Sequence, residues 1–164
     1  MGLVRLEPWR DGDLGLLRRQ NSPEMTAFLG GPESEEKLLD RHRKYVEGTF
    51  VGHMRVIVLL DGEQVGSIGY WEHELATGTV WETGWGVLPE YQGRGIAGAA
   101  IGEMIAEVTA ERTHRAVHAY PSVLNGASNA ICRKAGFTLL AEIDFEYPKG
   151  HWLRCNDWCF ELSW

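Results

Sequence analysis

The segment Val87–Gly98, VLPEYQGRGIAG, constrains the fold more than any other part of the chain. It leaves a strand-like run, stops at Pro89, turns over Gly93 and Gly95, and opens a helix over Gly95–Arg112. The apolar residues Ile96, Ala100, Ile101, Met104, Ile105 and Val108 form one stripe along that helix. Three strand-like runs precede it: Met54–Leu60, Gln64–Trp71 and Thr79–Val87. The strong hairpin signal Asp61-Gly62 joins the first two. A helix after such a meander implies a parallel crossover within an otherwise antiparallel sheet.

The rest of the chain fits around this centre. Leu3–Leu6 is a short strand ended by Pro8, and Asp11–Gln20 is a short helix. Ser34–Glu47 is a second helix, capped by Ser34, with Leu38, His42, Tyr45 and Val46 on one side. Downstream, Arg115–Tyr120 is a strand, Ala127–Lys134 a helix, and Phe137–Glu146 and Trp152–Leu162 two closing strands. The expected class is α+β: a mixed sheet of six to seven strands with about four helices, in one domain spanning residues 1–164.

Composition narrows the function. Sixteen Lys and Arg against twenty-three Asp and Glu give a formal charge of −7, which disfavours nucleic-acid or anionic-membrane binding. No apolar run is long enough to span a bilayer, and Met1–Arg10 lacks a signal-peptide core. Three cysteines make no disulfide framework, so reduced thiols in a cytoplasm are expected. Seven tryptophans, taken as partly exposed, suggest a homodimer. His151, Cys155 and Cys159 lie at i, i+4 and i+8 within one strand. That spacing forms no compact tetrahedral set, and no metal is expected.

Successive backbone amides at a glycine-rich helix start make a positive concavity suited to phosphate oxygens. Gly93 and Gly95 let the backbone approach such a ligand, and Arg94 adds a cation at the rim. The run Gly93–Gly98 also spells the dinucleotide fingerprint. That fingerprint belongs after the first strand of a parallel unit whose next strand ends in an acid. Here three antiparallel strands come first, and the next strand ends in Ala119-Tyr120-Pro121, so the nicotinamide reading is set aside.

Two motifs carry a resemblance. Gln92-Gly93-Arg94-Gly95-Ile96-Ala97, with its lead-in Val87-Leu88-Pro89-Glu90-Tyr91, is similar to the pyrophosphate loop of the GNAT N-acetyltransferase superfamily. Asn125–Phe137, with Asn125, Ser128, Lys134, Gly136 and Phe137 in register, resembles a segment of its ribosomal-protein-alanine acetyltransferase-like branch. The resemblance implies acetyl-CoA bound beside a splayed central strand pair and direct attack by an amine. By the same resemblance, the amides of Arg94, Gly95, Ile96 and Ala97 take the pyrophosphate. The N–H of Val87 takes the thioester oxygen, and Val87, Leu88, Pro89 and Asn125 take the pantetheine.

The chemistry then needs a base and a proton donor. Glu82, ten residues before Gln92, is the expected base, with Gly84 and Gly86 on its face leaving room for a ligand. Ser128 is the expected donor to the leaving thiolate, with Tyr120 a weaker alternative. The residue types alone leave Glu82 open as a solvated strand carboxylate and Ser128 as a helix-capping residue. His118 and Cys132 read as packed residues. Arg133 and Lys134 are either at the nucleotide phosphate or solvated, and His73 and Glu74 sit at an exposed hairpin tip. The acceptor, a small-molecule or peptide amine, would meet Phe28, Trp71, Tyr147 and Trp152, with Glu82, Asp144 and Glu146 favouring a cation. The alternative is a non-catalytic acyl-CoA-binding or regulatory domain on the same fold.

Overall fold

The computed structural model describes residues 3–49 and 52–164. Seven strands form one sheet in the order β1-β2-β3-β4-β5-β7-β6. They are β1 Val4–Pro8, β2 Gly52–Leu59, β3 Gln64–Leu75, β4 Gly78–Val87, β5 Ala116–Ala119, β6 Thr138–Glu146 and β7 Trp152–Glu161. The helices are α1 Leu14–Gln20, α2 Glu35–Glu47, α3 Ile96–Glu111 and α4 Gly126–Lys134. All neighbouring strands are antiparallel except β4 and β5, which run parallel and are joined through α3. This is the mixed sheet with a single crossover that the sequence predicts.

Strand alternation sends apolar residues to both faces, and helices cover each. Ile57, Ile68 and Tyr70 pack with Ile101, Met104 and Val108 of α3 in one cluster. Val56 and Val58, the chain neighbours of Ile57, pack instead with Leu16, Leu17 and Leu38 of α1 and α2. Two polar contacts pin α3 to the sheet: Arg55 with Glu107 at 2.7 Å, and the Tyr70 hydroxyl donating to Glu111 at 2.7 Å.

Several expectations change in detail. The β1 strand runs on through Pro8, which an edge strand tolerates because its outer side forms no ladder. Ser34 does cap α2, accepting from the Lys37 N–H at 3.3 Å, but Val46 is exposed rather than buried. Eight residues along an α-helix rotate Val46 by about 80° from Leu38, while Tyr45 stays on the buried side. The β3 strand continues four residues beyond Trp71 to Leu75, so His73 and Glu74 lie inside a strand, paired with Val80 and Thr79. Of the seven tryptophans Trp152 is exposed, Trp71, Trp85 and Trp164 are half-buried, and Trp9, Trp81 and Trp158 are buried. Among the described residues no helix is long and apolar enough to cross a membrane.

Candidate active site at the strand splay

The β4–β5 pairing covers only Trp81–Thr83 against Val117–Ala119. Beyond Thr83 the two strands part, and a cleft of about 1100 Å³ opens at that point. One wall carries Glu82, Gly84 and Gly86 of β4, and the other carries Tyr120, Asn125 and Ser128. The α1–α2 connection and the β6–β7 hairpin close over the far end. There the ring of His151 and the ring of Pro148 come against Gly30, each within 3.6 Å of where a Cβ would stand.

The backbone of β4 leaves an unused donor in this gap. The Leu88 N–H donates to the Val65 carbonyl at 2.8 Å. Antiparallel ladders alternate edge by edge, so the N–H of Val87 faces the other way, toward the opening beside β5. The Val87 carbonyl accepts from the Gln92 side-chain amide at 2.9 Å, tying the glycine loop to the end of β4. Leu88 offers a ligand little: its side chain is buried, its N–H is used, and its carbonyl accepts from Tyr91. The Pro89 carbonyl accepts from Gln92.

Gly93 and Gly95 both have positive φ, 76° and 77°, which β-carbon sterics discourage in other residues. The loop Gly93–Gly95 is exposed, and its amides donate to no backbone carbonyl among the described residues. The first intrahelical bond of α3 comes from Ala99 to the Gly95 carbonyl, so the amides of Ile96 and Ala97 lie ahead of the helical ladder. A row of unpaired amides at a helix start suits an anionic phosphate group. The Arg94 guanidinium folds back on its own loop, donating to the Glu90 carbonyl at 3.1 Å and lying over the Tyr91 ring.

Glu82 lies where the strands begin to part, its side chain 13% exposed. Burial pushes its carboxyl up to about 7, partly offset by a hydrogen bond from Trp71, its cross-strand partner, and by the nearby His118. A carboxyl that ionises near neutral pH can take a proton from an amine and give it up again. The side chain of His73 reaches it from β3, with Nδ1 3.3 Å from Oε1. His73 therefore does not sit at an exposed hairpin tip; Trp71, His73 and Leu75 alternate with Glu72 and Glu74 in a strand-compatible pattern that lasts until Ala76-Thr77-Gly78.

The opposite wall mixes helix capping with open chemistry. Asn125, not Ser128, is the N-cap of α4, its Oδ1 accepting from the Ser128 N–H at 3.1 Å. The Ser128 hydroxyl has no hydrogen-bond partner among the described residues and borders the cleft. The Tyr120 hydroxyl is buried with no hydrogen-bond partner among the described residues, and burial pushes its ionisation well above the usual phenol range. The His118 ring contacts Asp157 at 2.6 Å and is buried, as a packed histidine should be.

Other expectations do not meet in the cleft. Trp152 points to solvent, and Asp144 pairs with Arg154 at 3.2 Å outside it, whereas Phe28, Trp71, Glu146 and Tyr147 border it. The space over Gly84 and Gly86 is partly filled. A Cβ there would stand 3.2 Å from the Trp71 ring and 3.0 Å from the Gln20 side chain. Arg133 lies over the Trp158 ring. Among the described residues no cluster of His, Cys, Asp or Glu is placed to hold a metal.

Sequence comparison with family models decides the family: residues 4–138 match the acetyltransferase (GNAT) domain. The chain belongs to the GNAT family. No curated protein matches this GNAT domain. Solved structures share its fold at low identity. A GNAT-family acetyltransferase from Bacillus anthracis is 17% identical, with a TM-score of 0.81, over 96% of this chain and 94% of that one. A spermidine N-acetyltransferase from Vibrio cholerae, in complex with CoA and spermine, is 16% identical, with a TM-score of 0.79, over 97% and 95%. An acetyltransferase from Salmonella typhimurium, described as modifying the N-terminal serine of a 50S ribosomal subunit protein, is 17% identical, with a TM-score of 0.78, over 98% and 96%.

Proposed function

We propose that this GNAT domain transfers an acetyl group from acetyl-CoA directly to a primary amine, on a small molecule or a peptide N-terminus. The observation that carries the reading is Glu82, a buried carboxyl that ionises near 7, on the same cleft as the Ser128 hydroxyl, which has no partner among the described residues; the outward-facing N–H of Val87 follows five residues further along β4. Acetyl-CoA is a substrate, with its pyrophosphate on the amides of Arg94–Ala97 and its pantetheine between Val87 and Asn125.

In this reading Glu82 takes a proton from the incoming ammonium, because only the free amine has an electron pair to attack with. The nitrogen bonds to the thioester carbon, and the carbonyl oxygen gains negative charge that the Val87 N–H stabilises. The carbon–sulfur bond then breaks and the thiolate leaves; Ser128 gives it a proton and takes in return the second proton that the acylated nitrogen sheds. The products are an amide and free CoA. The acceptor end, bordered by Phe28, Trp71 and Tyr147, would hold the body of the amine. An amine acceptor is in keeping with the polyamine and N-terminal serine described for two structural neighbours.

The test combines binding with turnover. Acetyl-CoA at one hundred times its dissociation constant adds about 2.7 kcal/mol, raising the melting point by roughly 5–11 °C, while NADH leaves it unchanged. An amine panel should then release free CoA thiol. Glu82→Gln should slow that release by about 10²–10⁴-fold with acetyl-CoA affinity unaltered. No melting shift would overturn the substrate assignment. A shift without transfer to any amine would point to the non-catalytic acyl-CoA-binding reading.

A further inference from the structure

Acetyl transfer from a thioester to an ammonium does not conserve protons inside the site. The amine arrives with three hydrogens and a charge, and leaves as a neutral amide bearing one. One of the two hydrogens lost goes to the CoA sulfur, and the other must reach solvent in every turnover. Glu82 takes that proton in the reading above, and its side chain is 13% exposed, on a cleft wall the acceptor would cover. The fold therefore has to provide an exit that does not run back through the bound substrates.

We propose that His73 is that exit, accepting the proton from Glu82 and releasing it to water. The proposal rests on the transfer reading. Its geometry follows from the register of the meander. Trp71 stands directly opposite Glu82, and His73 stands opposite Val80, which places His73 diagonally across from Glu82 on one sheet face. Nδ1 of His73 is 3.3 Å from Oε1 of Glu82. Glu82 borders the cleft and His73 does not, yet the His73 side chain is 30% exposed. The imidazole thus touches a buried carboxyl and is also open to water, beside the rings of Tyr120 and Phe145, which line the cleft.

The groups facing His73 suit a side chain that takes up a proton only briefly. Burial and the neighbouring His118 of β5 disfavour the imidazolium, while Asp157 of β7 and Glu74 of its own strand favour it. The rings of Tyr120 and Phe145 complete the surround at 5.4 and 6.3 Å. The proton moves from Glu82 to the imidazole, and the imidazolium then releases one to water. Both groups return to their starting charge, so no further reactant is consumed. His73 acts through Glu82 and does not touch the reacting carbon.

His73→Gln and His73→Ala, assayed at saturating acetyl-CoA and amine in dilute buffer, test the assignment. The expected result is a kcat about 10²-fold below wild type, the low end of what a positioned proton transfer contributes, with KM for both substrates unchanged. Imidazole added to the buffer should restore kcat in His73→Ala several-fold, which a merely structural contact would not allow. An unchanged kcat, or a loss that imidazole leaves untouched in folded His73→Ala, would overturn the relay. If His73→Ala does not fold, kcat of His73→Gln decides alone. Loss of activity in Glu82→Gln with full activity in both His73 variants would remove the relay and leave the transfer reading standing. A wild-type protein that acetylates no amine would remove both.

Discussion

Glu82 shows how much one residue's surroundings can do. The alternation of β4 identifies its face, and the glycines after it mark that face as approachable, so its place in the cleft was legible in the sequence. Its ionisation was not, because that depends on Trp71 across the sheet and on the burial that the splay provides. The raised carboxyl has a consequence for stability. Its ordinary value is 4.5 and its folded value about 7, so the folded chain binds the extra proton between those limits. Stability from this group is fully present below 4.5 and is lost as the pH rises through 7, by up to about 3 kcal/mol. Urea midpoints at pH 5 and pH 8 should therefore fall further for wild type than for Glu82→Gln. Parallel declines would show that the carboxyl is not held protonated by the fold. The rate should move the opposite way, rising through about pH 7 as the carboxylate forms.

At the scale of elements, α4 shows why capping could be anticipated and its register could not. Asn125 and Ser128 are both capping residue types three positions apart, and nothing local selects between them. The choice is made by Asn129, one residue further along the helix. Its amide donates to the carbonyls of Ser122 and Asn125 at 3.0 and 2.8 Å. Its oxygen accepts from Asn156 and from the Trp158 indole at 2.9 and 2.8 Å. Asn129 thereby joins the loop before α4, the helix itself and β7, and so fixes the wall that carries Ser128. Asn129→Ala should lower stability by about 1–3 kcal/mol, since it strands the buried Trp158 indole N–H, while the Ser122 and Asn125 carbonyls each keep a backbone donor. A urea midpoint equal to wild type would refute that role. The β3 extension has a similar origin: the hairpin closes over Ala76-Thr77, two residues that carry no strong turn signature, so its position depends on pairing with β4.

For the molecule as a whole, the order meander, crossover helix, helix and closing hairpin was readable, because each change of hydrophobic period is local. The assembly of the acceptor end was not. It depends on how the β6–β7 hairpin swings over the α1–α2 connection, and Trp152 and Asp144 lie on the side of that hairpin turned away from the cleft. The placement of the cysteines has a chemical consequence for a protein that would generate a thiol at each turnover. Cys132 is fully buried, with its thiol pushed up to about 12, Cys155 is buried, and Cys159 is half-buried; the thiols of both are raised by burial. Disulfide exchange needs an accessible thiolate, and these three offer almost none. The folded chain should therefore gain no mass after incubation with oxidised CoA, whereas the urea-unfolded chain should become modified. Burial would spare this chain capture by the oxidised form of its own product, and its tolerance of oxidants would be set by the fold instead of by a protective reductant.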